Sequence, residues 1–309
     1  MSTAWSNKKI EHYKKGAVVA SISLSVTLFL LKAFASLATG SLAILSSLVD
    51  SLSDIVASIV SFVAVKISLK PASCSHRYGY FKAEHISALL QAAFIAGSGL
   101  FVVYNGIDRF LHPTVLEKTQ IGILIMVFSL IATLALIVFQ QYVAKHTQSI
   151  AIKADSAHYV VDILTNASII FSLLIVQFFH APWLDTLTAF LIAFYLIFYA
   201  YKIAREAIDA LMDKELPEEI RNNVLKLMSQ ISDIKGVHDL RTRDLGGVYY
   251  FEIHLEMDGH LSLLQAHRLT EEAEQKIKQH YPNAQVLVHQ DPSGIKEDHL
   301  DDILNDCKN

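Results

Sequence analysis

Ser46-Ser47-Leu48-Val49-Asp50-Ser51-Leu52-Ser53-Asp54 sits inside an otherwise apolar run, and Asp155-Ser156-Ala157-His158-Tyr159-Val160-Val161-Asp162 opens another. Each segment holds a pair of ionisable residues four positions apart, Asp50 with Asp54 and His158 with Asp162. On a helix, residues at that spacing share a face. An ionisable group inside a membrane span costs about 3 kcal/mol on insertion scales, so it is retained where it meets a partner, an ion or water. Three carboxylates and one imidazole make a four-ligand set for a divalent transition metal. The two segments therefore read as membrane helices that face one another across a metal site, and metal transport is the leading expectation.

Composition agrees with a membrane protein. Of 309 residues, 52% are hydrophobic and only 18% charged, where a soluble domain carries about 25% charged residues. The deficit is concentrated before position 212. Six apolar runs are long enough to cross a bilayer, at 16–38, 42–66, 84–110, 119–144, 151–179 and 184–210. The polar start up to Lys15 and the length of the first run read as a span rather than a cleavable signal. Lysine and arginine cluster before span 1, between spans 2 and 3, between spans 4 and 5, and after span 6. The opposite side has little beyond Arg109 and Lys118. By the positive-inside rule both termini are cytoplasmic. A net charge of −4 carries no nucleic-acid signal. Cys74 and Cys307 form no CxxC pair, which argues against a disulfide framework or a thiolate zinc cluster.

From Leu216 onward the pattern is that of a soluble α+β domain. Residues 217–232 read as an amphipathic helix with Pro217 in its first turn. Residues 237–245 and 248–257 read as strands joined at Gly246-Gly247, 262–280 as a second helix, and 284–289 as a third strand. The order αββαβ suits an open two-layer sandwich of ferredoxin-like, metallochaperone-like type. The expected divisions are a cytoplasmic N-terminal segment 1–15, an all-α six-helix transmembrane domain 16–211, a cytoplasmic domain 212–291 and a poorly ordered tail 292–309.

In span 2 the polar residues Ser47, Asp50, Ser51, Asp54, Ser58 and Ser61 form one stripe; span 5 adds Asp155, His158, Asp162, Thr165 and Asn166. Lipid cannot solvate either stripe, so the two are expected to face each other. Hydrogen bonding between helices is the bland alternative. Three acids need a cation, however, and the nearest basic residue, Lys32 of span 1, lies at span depth on its own helix, where it could snorkel, and is a weak competitor for that role. One imidazole among carboxylates favours zinc-like ions over Mg²⁺ or Ca²⁺. Protons compete for the same ligands, so a proton gradient can drive metal out. Two other readings are a membrane-embedded zinc hydrolase and a metal sensor that does not transport. The first needs an open metal position and a general base, as H-E-x-x-H supplies, and the sequence has no such motif.

The D-x-x-x-D and H-x-x-x-D pairs, six spans and small α/β tail resemble the cation diffusion facilitator family, in its bacterial ferrous-iron/zinc efflux branch. Local strings carry the likeness further: Thr39-Gly40-Ser41, Leu48-Val49-Asp50-Ser51-Leu52, Lys82-Ala83-Glu84, Lys153-Ala154-Asp155-Ser156 and His289-Gln290-Asp291-Pro292. The resemblance implies a homodimeric proton-coupled antiporter in the bacterial inner membrane, with no organic cofactor. It would carry Zn²⁺, with Cd²⁺ and Fe²⁺ as further cargo. Its transport site would be Asp50, Asp54, His158 and Asp162.

Strand 248–257 alternates, with Phe251, Ile253, Leu255 and Met257 on one face and Tyr250, Glu252, His254 and Glu256 on the other. A lone surface histidine is usually only solvated. The family pattern implies more: His238, His254, His267 and His289, with Asp291 between two zinc ions, as a binuclear site that tightens the dimer. Gln290 is either an outer-shell ligand or a solvated strand residue. The resemblance also implies a charge interlock between Lys82 and Asp213 at the dimer contact. Close relatives carry a further D-x-x-H-x-x-x-H site in the loop between spans 2 and 3. Here Ser73, His76 and Tyr80 stand in those positions; Cys74 and His85 are the substitutes at hand, but the third site is expected to be absent.

Overall fold

The computed structural model describes residues 7–39, 42–111, 120–179, 183–295 and 299–300. Six long helices come first: α1 (Asn7–Thr39), α2 (Leu42–Ser68), α3 (Ala83–Leu111), α4 (Gln120–Thr147), α5 (Ile150–Phe179) and α6 (Trp183–Leu211). They match the six apolar runs to within a few residues at most ends. α1 is the exception, beginning in the polar segment ahead of its run. Over the described residues alone, α1 to α4 are long and apolar enough to cross a membrane. Large apolar side chains of the six helices face outward, as Phe34, Leu100, Phe101, Val138 and Phe194 do, while many of the buried residues are small. Ala88, Ala92, Ala154, Ala157, Ala200 and Ala207 form the α3–α5–α6 seam. Small side chains let helix backbones approach where lipid supplies no hydrophobic drive.

The remainder is a second unit, beginning at Asp209. It contains α7 (Glu218–Met228), β1 (Gly236–Asp244), β2 (Tyr249–Met257), α8 (Leu263–His280) and β3 (Gln285–Pro292). The sheet order is β1-β2-β3, antiparallel between β1 and β2 and parallel between β2 and β3. This is the αββαβ arrangement that the apolar periodicity predicts. Asp244 turns the hairpin: its Oδ1 accepts from the backbone N–H of Gly246 at 2.8 Å and of Gly247 at 2.6 Å. Both glycines sit at positive φ, 99° and 93°, which a Cβ would oppose. α8 begins with a capping box between Ser262 and Gln265. Both helices cover one face of the sheet, where Val224, Leu227, Met228, Ala273 and Ile277 pack on Phe251, Ile253 and Leu255. The other face carries the histidines.

Candidate metal centres

Within the membrane unit, α2 and α5 bring together Asp54, His158 and Asp162. His158 Nε2 lies 3.3 Å from Asp54 Oδ1 and 3.9 Å from Asp162 Oδ2. One ligand atom from each falls within 4.8 Å of the others, a span that a single ion can bridge. His158 is buried while both carboxylates are half-buried. The imidazole is thus the inner wall of the site, and the acids face a more open side. Asp50 lies one turn before Asp54 on α2, but its side chain is outside the described residues, as are those of Ser47, Thr165 and Asn166.

Around this triad the polar stripes meet as expected, and they meet more than each other. Tyr159 sits beside His158 and bonds Ser25 at 2.6 Å and Ser58 at 2.8 Å. Ser58 also bonds Ser21 at 3.0 Å and Ser25 at 2.8 Å. Asp155 lies one turn before His158 and is wholly buried. It accepts from Ser21 at 2.7 Å, Gln140 at 2.6 Å and Gln91 at 3.4 Å, so α1, α3 and α4 all converge on it. Sequence reading placed Asp155 on the stripe but missed Ser21, Ser25, Gln91, Gln140 and Tyr159. The signal was present, since an amide or a serine pair four residues apart is costly in an apolar span.

Two lysines make contacts that the sequence does not announce. Lys32 is half-buried, and its Nζ donates to Ser51 Oγ at 2.6 Å, on the polar stripe of α2. Lys14, counted only as an orienting charge, is buried against Glu84 at 2.7 Å. Glu84 also accepts from Ser68 at 2.8 Å and from Ser149, tying the ends of α1, α2 and α3 to the start of α5.

In the loop between α2 and α3, Ser73 bonds Tyr80 at 2.9 Å and the His76 ring stacks on Tyr80. Cys74 is exposed and His85 buried. Lys82 precedes α3 in the first unit, and Asp213 belongs to the second, where Arg243 donates to it at 3.1 Å.

In the second unit, strand register builds the site. His238 pairs with His254 across β1 and β2, and His254 with His289 across β2 and β3, so three imidazoles stand abreast on one face. Asp291 follows two residues after His289 and returns to that face. Its Oδ2 lies 2.9 Å from His254 Nδ1 and 3.2 Å from His238 Nε2; its Oδ1 lies 3.1 Å from His289 Nε2. One buried carboxylate therefore addresses three imidazoles with two oxygens. That is the arrangement a carboxylate needs to hold two ions, and the donor set fits zinc. His238, His254 and Asp291 form a compact triad. His267 stands apart on α8, 60% exposed, with Glu271 at 3.5 Å. Gln290 is half-buried and points toward the helix-covered face, where its amide donates to Thr270 at 2.8 Å. A residue that the sequence reading did not single out, His299, packs its ring 3.9 Å from that of His238.

The family model of the cation efflux transmembrane domain matches residues 18–212. The chain belongs to the cation diffusion facilitator family. The model of that family's cytoplasmic domain, a dimerising unit, matches residues 216–293. The cation-efflux pump FieF of Klebsiella pneumoniae is 39% identical over 280 residues, covering 90% of this chain and 93% of its own. FieF of Escherichia coli O139:H28 is 38% identical over the same shares. Among solved structures, the zinc form of CzrB is 31% identical, covering 28% of this chain and 99% of that one, with a TM-score of 0.26. The cation diffusion facilitator described here is thus a divalent-metal efflux transporter rather than an enzyme. It is a multi-pass membrane protein with a cytoplasmic C-terminal domain.

Proposed function

We propose that the protein exports Zn²⁺ from the cytoplasm in exchange for protons, with Cd²⁺ and Fe²⁺ as further cargo. It would act as a homodimer in a bacterial inner membrane with both termini cytoplasmic. The observation that carries this reading is the approach of Asp54, His158 and Asp162 within the bundle. An imidazole between two carboxylates suits zinc-like ions, and Asp50, one turn from Asp54, would complete a tetrahedral set. The cargo enters with these ligands deprotonated, and protons arriving from the far side compete it off. A site so built couples the two flows without a separate proton channel.

The cytoplasmic centre of His238, His254, His289 and Asp291 would hold resident zinc and stabilise the dimer. His267 lies on another layer of its own protomer, so its place in that centre would come through a second copy. Lys82 and Asp213 remain our proposed interlock, with Arg243 as a competitor for Asp213. The direct test is flux. Purified protein in proteoliposomes should acidify or alkalinise the lumen in step with Zn²⁺ movement, and an imposed pH gradient should drive Zn²⁺ uphill. Zn²⁺ flux with no proton movement would remove the antiport reading. Zn²⁺ binding with no flux would favour a sensor.

A further inference from the structure

We propose that His238, Asp239 and His299 form an additional metal site for a zinc-like ion, which fastens the C-terminal tail to β1, an edge strand of the cytoplasmic sheet. One ligand atom from each of the three lies within 4.8 Å of the others. Two imidazoles and a carboxylate are a zinc-type donor set with one position left for water.

The local backbone is built for this approach. Along a regular strand Asp239 would face away from His238. Instead the β1–β2 register shifts between His238 and Arg241, and Asp239 takes φ 51°. A non-glycine residue in the left-handed region costs about 1 kcal/mol, and aspartate tolerates it better than most. Bulges of this kind re-aim side chains beside functional sites. Here the bulge leaves Asp239 buried, 6% exposed, and within reach of both imidazoles.

A second observation concerns His238 itself. Its Nδ1 is buried and makes no hydrogen bond. Glu256 Oε1 lies 3.4 Å away, too poorly aligned to serve. A buried ring nitrogen left unsatisfied costs about 1–3 kcal/mol, and coordination of a metal ion by its lone pair would remove that cost. The His299 ring lies 3.9 Å from that of His238 with the planes 50° apart, tilted rather than stacked. The family's cytoplasmic-domain match ends at residue 293, so His299 lies beyond it. Because His238 belongs to both triads, the tail site adjoins the Asp291 centre, and filling one bears on the other.

The inference rests on reading this domain as metal-binding, and the test separates the two. Zinc bound per protomer is counted by equilibrium dialysis of the full-length dimer in detergent. All samples carry Asp162→Ala, so that the transport site does not contribute. His299→Ala and His299→Phe are compared with His299→Asp and with His254→Ala. His299→Phe keeps a ring against His238 but offers no ligand atom. Both His299→Ala and His299→Phe should weaken the tightest tail-dependent zinc by at least about tenfold, the smallest loss seen even for outer-shell partners. His299→Asp should retain most of it. Parent-like binding in His299→Phe, while His254→Ala loses zinc, would show that the ring contact is packing and overturn the tail site alone. No zinc in the His299 parent would overturn the metal reading of the whole domain.

Discussion

His158 is the only nitrogen donor among the four residues proposed for transport, so it is the residue on which we propose that selectivity turns. His158→Asp replaces it with oxygen, which should raise Mn²⁺ transport relative to Zn²⁺. The comparison is the Mn²⁺/Zn²⁺ flux ratio of variant and parent, and an unchanged ratio would remove His158 from selectivity. Asp54→Ala and Asp162→Ala each delete a proposed ligand beside the imidazole. Each should abolish zinc-dependent proton flux in proteoliposomes while leaving the dimer intact by size-exclusion chromatography. Asp155 plays a different part. Its carboxylate satisfies Ser21, Gln91 and Gln140 in a wholly buried place. Asp155→Ala leaves those donors unpaired at a cost of about 1–3 kcal/mol, whereas Asp155→Asn keeps one acceptor and should cost less. Unfolding in mixed micelles measures both, and equal stability of the parent and Asp155→Ala would mean that water replaces the carboxylate. Asp54, His158 and Asp162 were legible because their spacing alone puts them on helix faces. The donors to Asp155 were not, since a lone amide in an apolar run does not say which neighbour it meets.

At the scale of elements, β2 shows what alternation can and cannot tell. Its burial follows the sequence strictly, with Phe251, Ile253, Leu255 and Met257 inside. Phe251 is fully buried in the core beneath the two helices, so Phe251→Ala should cost about 3–5 kcal/mol. Ser262 opens α8 with a reciprocal cap, and Ser262→Ala should cost about 1 kcal/mol. Thermal unfolding followed by circular dichroism would check the order, Phe251→Ala far below Ser262→Ala. Comparable losses would mean that the apolar face is less tightly packed than its burial indicates. Alternation placed His254 on the polar face. It did not place His238 and His289 beside it, because that depends on register, set by the hairpin at Gly246-Gly247 and by the crossover through α8. The bulge at Asp239 was invisible for the same reason: nothing local in Val237-His238-Asp239-Leu240 announces a slip in pairing.

The whole molecule joins a membrane unit that moves metal to a cytoplasmic unit read as holding it, and both sets of ligands are also proton acceptors. Zinc at the proposed cytoplasmic centre would be held by deprotonated ligands, for which protons compete, so any stabilisation it adds should weaken as pH falls. At a free zinc concentration about 100 times Kd the gain is about 2.7 kcal/mol. The zinc-dependent rise in Tm should therefore be larger at about pH 7.5 than at about pH 5.5. A rise of equal size at both would argue against imidazole ligands. The sequence by itself determined the six spans, the αββαβ domain and the pairs on α2 and α5, because apolar periodicity and i,i+4 spacing are local properties of a chain. Only the tertiary structure decided which residues meet across elements. Examples are Asp155 with Gln140, Lys14 with Glu84, the row of His238, His254 and His289, and the return of His299 to His238. Such contacts depend on helix packing and strand register, which the chain settles only when it buries its whole core at once.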